Sequence, residues 1–156
     1  MRAKFFALIF LAATGVALGQ GTALQPPPIK MGLWEKTMET TGGAGGPATF
    51  KAKSCITPAS WQEMVGNASK QPAGCTNNIT RTAHGYSFSG SCNLAHVSSV
   101  FSGSSTIQDS EHIVSETHST ITHNGQKHES QTHSTSHYLG SNCGTVKPGE
   151  PEVEDD

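Results

Sequence analysis

The sequence predicts a mainly β protein: a single antiparallel sandwich or partly closed barrel, built as a meander, with one short helix. Three observations predict it. From Cys75 onward the chain is strand and turn without interruption. Helix signals cluster at one place, after Thr57-Pro58. The third is a core problem: aromatic residues are 6% of the chain while Ser, Thr and Gly abound, so a thin core needs the help of its 4 cysteines.

Taken in order, Gly32 to Thr41 alternates well enough for a first strand, and the glycine-rich stretch from Gly42 to Pro47 is a loop that no regular element tolerates. Thr49 to Cys55 returns. Thr57 is a helix N-cap with Pro58 at the first helical position, Ala59 to Val65 continues the helix, and Gly66 is expected to stop it. Trp61 and Met64 are its expected packing residues. Ile79 to Thr82 and Tyr86 to Cys92 flank the turn Ala83-His84-Gly85, and Val97 to Gln108 is a long Ser/Thr-rich strand. Glu111 to His123 and Gln126 to Leu139 flank Asn124-Gly125, the strongest short-range hairpin signal a sequence carries.

The N-terminus reads as an export leader. Met1 to Lys4 is a short basic segment, Phe5 to Ala13 is apolar, and Ala17-Leu18-Gly19 places small residues at a cleavage point. The apolar run is shorter than the roughly 20 residues that span a bilayer. No cysteine follows the small-residue site, so no lipid anchor is expected. The expected organisation is a signal peptide over 1–19, a Pro-rich tether over 20–29, a β-rich disulfide-stapled domain over 30–144 and an acidic disordered tail over 145–156. The protein is therefore expected to be exported, to the periplasm or the extracellular space.

Charge excludes some partners. The chain carries −2, and removal of Arg2 and Lys4 with the leader makes it −4. Glu150, Glu152, Glu154, Asp155 and Asp156 crowd the C-terminus, so the folded part is near neutral. It has no basic stripe for nucleic acid and no Lys/Arg cluster for anionic lipid.

In an oxidising compartment the cysteines are expected as disulfides, since no close Cys spacing argues for zinc thiolates. If the helix carries the chain from one end of the meander to the other, Cys75 and Cys92 fall at one end and Cys55 and Cys143 at the other. That favours Cys75 with Cys92 and Cys55 with Cys143. The rival pairing of Cys55 with Cys75 and Cys92 with Cys143 survives if the meander is not simple.

Met31-Gly-Leu-Trp-Glu35, Cys55-Ile-Thr-Pro58 opening a helix, two cysteines bracketing a hairpin, and Tyr138-Leu-Gly-Ser-Asn-Cys143 occur here in that order. The combination resembles an exported bacterial family catalogued as domain of unknown function 3617. The resemblance covers about Lys30 to Gly144 and implies no catalytic or ligand residues. The chain departs from the family pattern in its last strands, which are rich in histidine instead of methionine and threonine.

Those strands carry the constellation with chemistry. His112, His118, His123, His128, His133 and His137 lie in the final ribbon. A two-residue Asn124-Gly125 turn pairs His123 with Gln126 and sets Glu116 opposite His133, His118 opposite Gln131 and His112 opposite His137. All six are expected on one face, with Ile113, Ile121 and Tyr138 on the other. Glu116, His118 and His133 would then converge on one ion, with His112 and His137 as a second pair. Imidazole with carboxylate suits zinc, copper or nickel. Two other readings stand beside this one: a solvated polar face in which histidine is common, and a pH-responsive surface whose imidazoles repel one another once charged.

Other motifs are weaker. Serine never stands in Gly-x-Ser-x-Gly, and His84, Asp109 and the serines lack triad spacing. The glycine run precedes a strand, which removes a phosphate-cradling reading. Trp34 and Trp61 are core anchors before they are stacking platforms. Asn67-Ala-Ser69 and Asn78-Ile-Thr80 fit glycosylation sequons, which arise by chance and which the resemblance to a bacterial family implies are idle. The reading is a non-enzymatic envelope or extracellular binding module with no obligatory cofactor, other envelope components as partners, and a divalent metal on the His-rich hairpin. An apolar carrier with a barrel lumen and a hydrolase are the alternatives.

Overall fold

Alternating sequence and turn chemistry generate eight strands and one helix. The computed structural model describes residues 27–68 and 71–154. The elements are β1 (Gly32–Gly42), β2 (Ala48–Ile56), α1 (Pro58–Ala68), β3 (Cys75–Thr82), β4 (Gly85–Leu94), β5 (Val97–Ile107), β6 (His112–His123), β7 (Gln126–Gly140) and β8 (Glu152–Glu154). The leader and most of the tether lie outside the described residues. All strands join one antiparallel sheet in the order β3-β4-β5-β6-β7-β1-β2-β8. Among the described residues there is one sheet, and no second sheet packs against it as in a sandwich. It is also open, with β3 and β8 as its edges, and the strands do not close around a lumen.

Local chemistry accounts for the meander. Asn124 and Gly125 both take positive φ, 51° and 80°, the conformation of a type I′ turn, and they seat His123 against Gln126. Phe88 faces Gly103 and Phe101 faces Gly90 across β4 and β5. A methyl group at Gly90 would stand 2.4 Å from Phe101 Cζ, so each ring lies over a glycine and covers the backbone there.

The helix begins as expected. Ser60 N–H donates to Thr57 Oγ1 at 3.1 Å and Thr57 N–H donates to Ser60 Oγ at 2.9 Å, a reciprocal cap around Pro58. It does not stop at Gly66 but runs to Ala68, because an interior glycine costs a helix only about 1 kcal/mol relative to alanine. Trp61 meets the Tyr86 ring at 5.9 Å. Met64, expected to pack, is 53% exposed.

Both favoured disulfides form. Cys75 and Cys92 are direct cross-strand partners, and Cys55 joins Cys143 across 88 residues of chain. The latter organises the core, which among the described residues consists of Ile29, Trp34, Ala52, Cys55 and Val146. Trp34 is 1% exposed, donates Nε1–H to Lys30 O at 2.9 Å and meets Tyr138 edge-on. Ile29 and Pro27, assigned to the tether, are buried instead, and Lys30 N–H donates to Ser110 O.

The tail is the largest departure from expectation. Residues 145–154, expected to be disordered, fold against β2. Val146 is buried beside the disulfide, Pro148 bridges Cys55, and β8 pairs Lys51 with Glu154, Ala52 with Val153 and Lys53 with Glu152. Lys53 and Glu154 are ion-paired at 2.5 Å, each shifting the other toward its charged form. Of the acids that suggested disorder, Glu152 and Glu154 stand beside Lys53 and Lys51 of the neighbouring strand.

Candidate functional site

The hairpin turn sets the register of β6 and β7, and that register places Glu116 opposite His133, His118 opposite Gln131 and His112 opposite His137. The expectation that all six histidines share a face is corrected by the same alternation. His123 follows His118 by an odd number of residues, as His133 follows His128, so His123 and His128 lie on the opposite face, with Ile121 across from His128. Four histidines share the first face: His112, His118, His133 and His137.

Each of three imidazoles on that face contacts a carboxylate. His133 Nδ1 is hydrogen-bonded to Glu116 Oε1. His112 Nδ1 lies 2.9 Å from Asp109 Oδ2, and His137 Nε2 lies 3.6 Å from Glu35 Oε1. The expected His112–His137 pair is thus opposite in register, while each ring takes its own acid. Asp109 is held below the usual carboxylate range first by the Glu111 backbone N–H and next by His112.

Strand β1 adds two acids that the ribbon alone does not reveal. It pairs with β7 so that Glu39 stands opposite His133 and Glu35 opposite His137. Nothing local signals that pairing, because the partners are separated by most of the chain. Around Glu116, therefore, lie His133 in contact, His118 two residues along the same strand, and Glu39 beyond His133. Glu116 Oε2 is buried and has no hydrogen-bond partner among the described residues. The Glu116 side chain as a whole is 43% exposed, so water, a donor or a cation can meet it. Among the described residues, no three His, Cys, Asp or Glu side chains form a group that could hold a metal ion. Glu116 and His133 are brought together, and His118 shares their face without joining them.

The family model described as a protein of unknown function, DUF3617, matches residues 27–143. The chain belongs to the DUF3617 family. No curated protein and no solved structure matches it. The DUF3617 match includes all four cysteines and the whole histidine ribbon, and it ends before β8. Among the described residues of this DUF3617 chain, no helix is long and apolar enough to cross a membrane. Asp109, weighed as a triad acid, contacts His112.

Proposed function

We propose that this DUF3617 chain is an exported, non-enzymatic binding module and that its histidine-bearing face takes a divalent transition-metal ion at Glu116. One observation carries the reading: the orphaned, buried Glu116 Oε2, held in place because Oε1 is engaged by His133. Carboxylates that ligate metals are themselves hydrogen-bonded, as Glu116 is by His133. His118 is the nitrogen donor, two residues along the same strand and face. Same-face neighbours along a strand are about 7 Å apart, so an ion between Glu116 and His118 requires both side chains to turn toward each other. The mixed imidazole and carboxylate set suits zinc, copper or nickel.

Two disulfides and the export leader fit an oxidising compartment, where such an ion meets the protein in solution. Calorimetric titration of the oxidised protein with zinc, copper and nickel tests the proposal. Saturable binding of one ion, weakened about tenfold or more by Glu116→Gln and by His118→Gln, supports it. Binding that ignores both substitutions, or none at all, ends it.

A further inference from the structure

The C-terminal segment and α1 leave a cleft between them, away from the histidine face. Its walls are Ile56, Trp61 and Met64 on one side and Pro148 and Pro151 on the other, with the buried Cys55 at its base. Glu63 and Glu150 also line it. Met64 lines this cleft and is 53% exposed, and Trp61 lines it while its ring also meets Tyr86.

We infer that this cleft is a binding site for a small organic cation with an apolar body, such as an alkyl or aryl ammonium. The apolar walls favour a hydrocarbon moiety, and the tryptophan gives a face for an ammonium group. Charge selects the sign of the ligand. Glu63 and Glu150 bring two carboxylates to the cleft; Glu150 is ion-paired with Lys147 at 3.6 Å, so the net charge of one negative rests on Glu63. The cleft is also built to persist. The Cys55–Cys143 disulfide anchors the tail, Gly149 N–H donates to Cys55 O, and the Ser60–Thr57 cap fixes the start of α1.

The chain has 2 tryptophans, one of them the buried Trp34, which makes Trp61 the reporter of occupancy. The probes are dodecyltrimethylammonium below its micelle concentration, with dodecyl sulfate and a neutral dodecyl alcohol as counterparts, titrated against the oxidised full domain by tryptophan fluorescence. Saturable quenching is expected for the cation alone, absent in Trp61→Phe. Affinity should fall about fivefold in the Glu63→Gln/Glu150→Gln double variant, the size expected of two exposed carboxylates acting together. An unchanged thermal melt of that double variant shows that the fold is intact. Equal binding of the neutral alcohol, or cation binding indifferent to the double substitution, would overturn the assignment. So would the absence of saturable quenching.

Discussion

The histidine face and the α1–tail cleft are built in opposite ways. The face follows from a two-residue turn and strict alternation, so neighbours in sequence fix most of it. The cleft exists because Cys55 meets Cys143 across 88 residues and pulls the following ten-odd residues onto β2. A local site should survive loss of the distant cross-link, and a long-range site should not.

The largest expected effect breaks the molecule at this difference. Replacing Cys55 and Cys143 together by serine should cost about 4–5 kcal/mol, because a cross-link over a long loop restricts the unfolded chain most. The Cys75–Cys92 pair, spanning 17 residues, should cost about 3 kcal/mol by the same argument. Denaturant unfolding under non-reducing conditions checks the order. A larger loss for the shorter loop would mean that the tail contributes little. In the Cys55/Cys143 variant the protection of β8 amides should vanish while that of β6 and β7 remains.

Next come the tryptophans. Trp34→Ala should cost about 3–5 kcal/mol, since it empties the most buried position and removes the bond to Lys30 O. Trp61→Phe, at a part-exposed position, should cost under about 1.5 kcal/mol. Comparable losses would place the core at α1 instead of at β1.

Smaller still, and of opposite sign, is Lys36. Burial lowers its ammonium pKa, so the charged form is disfavoured in the folded chain. Stability should therefore rise as pH climbs through the folded pKa toward the ordinary lysine value. Lys36→Met should stabilise by about 1 kcal/mol and remove that rise in thermal melts. Unchanged stability would show a well-solvated ammonium.

The smallest effect lies at the exposed carboxylates. Asp109 and Glu154 have folded pKa values below their usual ones, the former mainly through the Glu111 N–H and the latter through Lys53. Their contribution is present above the unfolded carboxylate pKa, near pH 4–4.5, and is lost as pH falls through the lowered folded values. A shallow acid-side decline in stability, reduced by Asp109→Asn, is expected. A flat profile would contradict it.

Sequence reading succeeded where structure is local. The Asn124-Gly125 turn, the register of β6 and β7 and the helix cap at Thr57 followed from local residue types and alternation, while the two disulfides were favoured only through the order of strands in the meander, with a rival pairing open. It failed where partners come from afar. Glu152 and Glu154 read as part of a disordered tail, and it is Lys53 and Lys51 on distant β2 that stand beside them. Glu35 and Glu39 join the histidine face through β1–β7 pairing, which no local signal announces. The placement of His123 and His128 was itself legible, since alternation alone sends them to the other face.

The central claim is that one face of the ribbon holds an ion at Glu116 and the other does not. Thermal melts of the oxidised protein with zinc, copper or nickel test it most directly, because an ion that binds only the folded state raises stability with its concentration, by about 2.7 kcal/mol at a hundredfold excess over Kd. The account predicts a rise that Glu116→Gln abolishes and that His123→Gln/His128→Gln leaves intact. A rise that depends on His123 and His128, or no rise with any of the three metals, would contradict it.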